Sequence, residues 1–274
     1  MAFSVNTNGG AFLALQNLNK TSSGLEQTQG RINTGLKVAS SKDDGATFAI
    51  AQKLRGNVAG LNAVKGSLDR ALSSLDVAIS AGEAVSDLLI ELKGKAVAAK
   101  DTSLSSSSRT SLNDDFTQLR DQITSIVNNA EFNGINAVKS GGNAISAITD
   151  NTGTSANQIT IAAQDLSLSG LGLSGKAISS AADAASTQAL VETAINTVTT
   201  ALSKLGAGAK RLELQKEFTT KLSDAIEVGI CNLVDADLAK TSAQLQSLQV
   251  KQQLGLQALS IANQAPSTVL GLFQ

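Results

Sequence analysis

The feature that most constrains this chain is an apolar repeat with alternating steps of three and four residues, renewed in segment after segment along 274 residues. Apolar positions that return at about 3.5-residue intervals can be buried together only when a helix packs lengthwise on another helix. The first series is Leu15, Leu18, Ser22, Leu25, Gln29, Ile32 and Leu36. A second runs from Ile50 through Leu54, Asn57, Leu61, Val64, Leu68, Ala71, Leu75, Ala78, Gly82, Val85, Leu89 and Leu92 to Ala96 without a phase break. At about 1.5 Å per residue the helix it predicts is roughly 80 Å long. A third, Leu112 to Ala130, follows a Ser-rich stretch, Ser103 to Ser108, that reads as a loop. A fourth, Val191 to Leu233, matches the second in length. The last consists of Val234, Leu238, Thr241, Leu245, Leu248, Gln252, Leu256 and Leu259, where two successive steps of four resemble a stutter. Pro266 is expected to end it.

Composition agrees with helices. A single Pro removes the main helix breaker, and with seven Phe and no Trp, Tyr or His the core must be aliphatic and Ala-rich. Ser41 with Asp44, and Ser111 with Asp114, have the spacing of capping boxes. Between about residues 133 and 182 the helical period fails, Gly and Asn cluster, and the segment from Gln158 alternates as a short strand does. The fold class expected is therefore mainly α: long antiparallel helices in an extended coiled-coil-like bundle, with a small β-rich insert in mid-chain.

Several function classes are disfavoured. Net charge is −1 and the basic residues are dispersed, which gives no footprint for nucleic acid. Without His there is neither an imidazole base nor the usual zinc ligand, and Cys231 has no partner for a disulfide or a catalytic pair. Neither an enzyme, a metal site nor a cofactor is expected. The pairs Asp43 with Asp44 and Asp114 with Asp115 are read as helix N-terminal acids, and Asp235 with Asp237 as no metal site. The Gly170-Leu-Gly172 cluster lacks the Lys and hydroxyl of a phosphate loop. No segment approaches a membrane span, and the first nineteen residues lack the basic start of a Sec-type leader.

The charge map is the second informative feature. Residues 1–19 and 252–274 carry no charged side chain, although both are patterned and rich in Leu. Uncharged apolar ends read as surfaces that other chains cover. Asn57, Gly82, Gly208 and Gly229 are weak core residues, each helix-interior Gly costing about 1 kcal/mol relative to Ala. The ends are expected to be marginal alone and to become ordered on polymerisation.

An ordered set of segments resembles bacterial flagellin: Val5-Asn-Thr-Asn8, Leu18-Asn-Lys20, Ile32-Asn-Thr-Gly-Leu36, Ser41-Lys-Asp-Asp44, Glu131-Phe-Asn-Gly134, Val234-Asp-Ala-Asp-Leu-Ala239 and Ala262-Asn-Gln-Ala-Pro-Ser-Thr-Val-Leu270. The resemblance implies a secreted filament subunit of the short type found in alphaproteobacteria. It implies that 1–41 and 234–274 pair as an inner-tube domain, and that 42–233 forms an outer-tube domain containing the insert. Self-assembly through the inner coiled coil would then involve Leu15, Leu18, Leu25, Ile32, Leu36, Leu238, Leu245, Leu248, Leu256 and Leu259. The partners implied are further copies of the chain, a flagellar export chaperone, the filament cap and hook-filament junction proteins, with type III export to the cell exterior. A junction protein or another secreted helical binding protein is the alternative. The Arg-rich helical stretch that innate receptors recognise in the family is replaced by Leu92-Lys-Gly-Lys-Ala96, so the resemblance does not extend to that recognition.

Overall fold

A computed structural model describes residues 7–151 and 157–270, with the helix alone described for 265–270. Residues 1–6 and 271–274 of the charge-free ends lie outside it. In chain order the elements are α1 (Gly9–Thr34), α2 (Gly45–Ala99), α3 (Ser106–Asn129), β1 (Ile145–Ile148), β2 (Gln158–Ile161), α4 (Ala181–Val234) and α5 (Leu238–Leu270). The mainly helical class with one small antiparallel sheet is what the repeat predicts. The chain divides into two compact units, 57–224 and the paired ends 1–56 with 225–274, the boundary falling inside α2 and α4. The division expected at 41/42 lies between α1 and α2, and that at 233/234 lies before the last residue of α4.

Within 57–224 the second heptad series is buried at every step from Leu61 to Ala96. It meets α4 and α3 antiparallel, as the pairs Lys93–Glu192 (2.9 Å), Lys216–Asp69 (2.6 Å) and Lys95–Asp115 record. These exposed pairs contribute little energy; the burial of Leu68, Leu75, Leu89, Phe116, Ile123 and Leu205 dominates. Two glycines that look weak in sequence sit where neighbouring side chains approach closely. A Cβ on Gly82 would lie 2.8 Å from Leu202 Cδ2, and one on Gly208 would lie 2.8 Å from Ile161 Cδ1. The α4 series keeps phase to Thr219 and then moves one residue on, so that Ser223, Ile230 and Val234 are buried in place of Leu222, Gly229 and Leu233. The stutter lies here, in α4, and not in α5.

The insert is mostly loop. β2 buries Ile159 and Ile161 as its alternation predicts, and pairs with β1, for which Ile145 stands opposite Ile161. The Phe132–Ile135 turn explains the Asn133-Gly134 dipeptide: both residues have positive φ, 51° and 80°, while Phe132 and Ile135 exchange two backbone bonds of 3.0 Å. Asn136 next to it is fully buried and satisfied, donating to Val127 O and accepting from Val138 and Lys139 N–H.

Several boundary expectations are corrected. Ser105 caps α3 by accepting from Ser108 N–H, so Ser106 to Ser108 form its first turn, not a loop. Ser111 and Asp114 consequently lie inside that helix, and Ser111 donates back to Ser107 O. Asp44 itself caps α2, accepting from Ala46 and Thr47 N–H, a task assigned to Ser41 by spacing alone. The α5 helix continues past Pro266 to Leu270 instead of stopping there.

Candidate assembly surface

In the unit formed by the two ends, α1 and α5 lie antiparallel, and the residues at their seam explain how close the helices come. On α1 the less exposed positions Ala11, Ala14, Leu18, Thr21, Leu25, Thr28 and Ile32 alternate steps of three and four. On α5 the matching set is Thr241, Leu245, Leu248, Gln252, Gly255, Leu259 and Ala262. Each seam is thus an unbroken heptad. Small residues set the spacing: a Cβ on Gly255 would stand 3.3 Å from Leu18 Cδ1, and one on Gly24 would stand 3.7 Å from Leu248. The most buried members, Thr28 and Thr241, satisfy their hydroxyls on the backbone one turn earlier, at Gly24 O and Asp237 O.

The sequence-predicted residues separate into three groups. Leu18, Leu25, Ile32, Leu245, Leu248 and Leu259 face the seam, half-buried. Leu15, Leu238 and Leu256 are exposed, and their expected seam places near Leu15 and Leu256 are held by Ala14 and Gly255. Leu36 lies beyond the end of α1, which closes at Gly35 with φ 71°. It forms a bridge with Asp235, flanked by Lys37 N–H to Val234 O (2.6 Å) and Ala236 N–H to Gly35 O (2.9 Å). The α1–α2 and α4–α5 junctions are therefore stitched together through backbone groups.

The large apolar side chains of the pair point the other way. Phe12 is 67% exposed and Ile261 is 70% exposed, and Leu13, Leu15, Val250, Leu254 and Leu256 are exposed with them. All lie in or beside the charge-free stretches, towards the end of the pair where α1 begins. Single exposed Leu residues need no explanation, but an end of the helix pair without charge, with Phe, Ile and Leu outward, is an apolar patch of the kind that marks interaction surfaces. Covering one such side chain is worth about 1.5–3 kcal/mol. Phe12, Leu13, Leu254 and Ile261 were not singled out by counting heptads, and the absence of charge was the signal that could have found them.

The acidic pairs have local duties. Asp43 accepts from Ala39 and Ser40 N–H and from the Ser40 hydroxyl, and the Ser40 backbone bond is the main cause that holds its pKa below the usual value. Asp44 is held down chiefly by the Thr47 hydroxyl. Asp237 caps α5 through Lys240 N–H. Asp114 and Asp115 sit in the interior of α3, not at its N-terminus, because that helix starts at Ser106. Cys231 is free and exposed on α4.

Comparison with known proteins matches both terminal parts of the chain. Residues 5–144 match the family model of the bacterial flagellin N-terminal helical region, and residues 188–273 match that of the bacterial flagellin C-terminal helical region. The flagellins FljM and FljN of Caulobacter vibrioides are 47% and 49% identical, each over 99% of this chain and 98% of their own length. A flagellin of Brucella melitensis is 32% identical over 99% of both. The crystal structure of Bacillus cereus flagellin shares the fold with a TM-score of 0.51 at 21% identity, over 56% of this chain and 88% of that one. Full-length similarity, matched terminal regions and a helix pair with its apolar face outward coincide, and the chain belongs to the bacterial flagellin family, the structural proteins of the extracellular flagellar filament.

Proposed function

We propose that this chain is the repeating subunit of a swimming filament in which the α1–α5 pair forms the inner wall and its outward Phe12, Leu13, Leu254, Leu256 and Ile261 are buried against neighbouring copies. The observation that carries this is the set of large apolar side chains exposed on the pair, in stretches that hold no charged residue. An apolar patch that meets a different surface of the next copy gives a head-to-tail contact, and repetition of such a contact without ring closure generates an open helical tube. Leu18, Leu25, Ile32, Leu245, Leu248 and Leu259 hold the pair together, while Leu15, Leu238 and Leu256 face neighbours. The unit 57–224 supplies the outer wall.

The same exposed ends define the transient partners. A chain with uncharged apolar helices must be shielded before assembly, which is the task of an export chaperone, and must be guided at the growing tip, which is the task of a cap. Export through the flagellar type III route and contact with hook-filament junction proteins belong to this reading. The role is mechanical, without catalysis.

Electron microscopy of purified chain seeded with filament ends tests the proposal. Long filaments are expected, and persistent monomers above micromolar concentrations contradict it. Removal of 252–274 is expected to leave a soluble, largely helical protein that does not extend seeds; normal filaments from that truncation refute the role given to α5.

A further inference from the structure

We infer that Asn8 supplies the hydrogen bond that Pro266 cannot make, and in doing so pins the beginning of α1 to α5. In an α-helix the carbonyl of one residue accepts from the N–H four residues later. For Ala262 that later residue is Pro266, which has no N–H, yet α5 continues to Leu270. The Asn8 side-chain amide donates to Ala262 O at 2.6 Å. The other end of the same side chain caps α1, its Oδ1 accepting from Ala11 N–H at 3.0 Å. One residue therefore closes the start of one helix and mends a gap in the ladder of the other.

This double task narrows the choice at position 8. Ser and Asp are equally good caps, and Thr is a somewhat weaker one. Asp offers no donor, and the hydroxyls of Ser and Thr are one bond shorter than the Asn amide. The position in the fold gives the bond its consequence. At its other end the helix pair is tied by backbone bonds, such as Ala236 N–H to Gly35 O. At this end the Asn8 amide holds the helices together beside Phe12, Leu13 and Ile261, the most exposed apolar side chains of the pair. The chain has one proline, so the carbonyl that it frees is a single landmark along a seam that otherwise repeats every seven residues. Asn8 with Pro266 thus sets how the outward apolar residues of α1 and α5 are presented to the next copy. The inference rests on the filament reading proposed above.

A double-mutant cycle on the full chain tests it, with the critical concentration for growth on filament seeds as the readout. Asn8→Ser keeps the cap acceptor, brings no charge and does not reach Ala262. It is expected to raise the critical concentration about three- to tenfold. Pro266→Ala restores an N–H to Ala262 O, so the variant is expected to assemble within about threefold of the parent, and adding Asn8→Ser to it to change growth less than about twofold. If Asn8→Ser alone fails to grow, growth of the double variant supports the coupling and its absence overturns it. An equal Asn8→Ser effect in both backgrounds, no effect in the parent, or failure of Pro266→Ala itself overturns the inference. A parent chain that does not extend seeds refutes the filament reading, and this inference with it.

Discussion

The two units of the chain use one repeat for opposite ends. In 57–224 the heptad positions carry Leu, Val and Ala inward and fully buried, and the contiguous core runs from Val64 to Leu212 without a residue of α1 or α5. In the α1–α5 pair the seam is half-buried, its most buried members are Thr28 and Thr241, and a second set of large apolar side chains, among them Phe12, Leu254 and Ile261, faces out. The same three-four spacing thus describes a core completed within one chain and a surface completed by others. What separates them is the distribution of size and charge around the helix. A unit of the first kind gains its stability on folding; one of the second kind gains most of it on assembly.

The comparison can be broken most severely by a charge on the outward face. Leu254→Lys is expected to abolish filament growth while leaving the urea midpoint of the lone chain unchanged; a large drop in that midpoint would place Leu254 in a core. Next in size is truncation inside the first unit. Leu89→Ala is expected to destabilise the lone chain by about 2–5 kcal/mol in urea denaturation, whereas Leu256→Ala changes it by less than about 0.5 kcal/mol and acts on the critical concentration alone. Two glycines of one helix sharpen the contrast at smaller scale. Gly208→Ala is expected to cost about 1–3 kcal/mol against Ile161, and Gly229→Ala, with no atom within 4 Å of the new methyl, to gain up to about 1 kcal/mol from helix propensity.

The smallest effect is electrostatic. Asp44 is held below the ordinary carboxylate value of 3.8 by the Thr47 hydroxyl and backbone, so its cap on α2 is fully formed above that value and is lost as pH falls through the lower folded one. A carbon-detected NMR titration should place the Asp44 midpoint below 3.8, and Thr47→Val should raise it towards that value. A midpoint unmoved by Thr47→Val would show that another group holds the carboxylate.

Much of this architecture was legible in sequence, because α2 and α4 repeat their apolar residues for so long that noise at single positions does not matter. β2 was visible through Gln158-Ile-Thr-Ile, while β1, with Ser146 and Ala147 between its isoleucines, was too short and too weakly apolar to be noticed. The assembly surface was legible in location but not in detail. Counting large apolar residues chose Leu256 over Gly255 and Leu15 over Ala14, since the count assumes that the seam is where the largest side chains go. At these two places the close approach of the helices is met by small ones. Capping signals misled for a related reason: the Ser-x-x-Asp spacing also occurs inside helices, where Ser111 bonds back to the previous turn. Pro266 looked terminal because its lost bond was counted locally, without the amide that Asn8 brings from the far end of the sequence.

Amide hydrogen exchange, followed by region in the lone chain and in the filament, tests the central claim most directly. The account predicts strong protection of 57–224 in both states, with α1 and α5 exchanging rapidly in the lone chain and slowly in the filament. Equal, strong protection of α1 and α5 in the lone chain would contradict it.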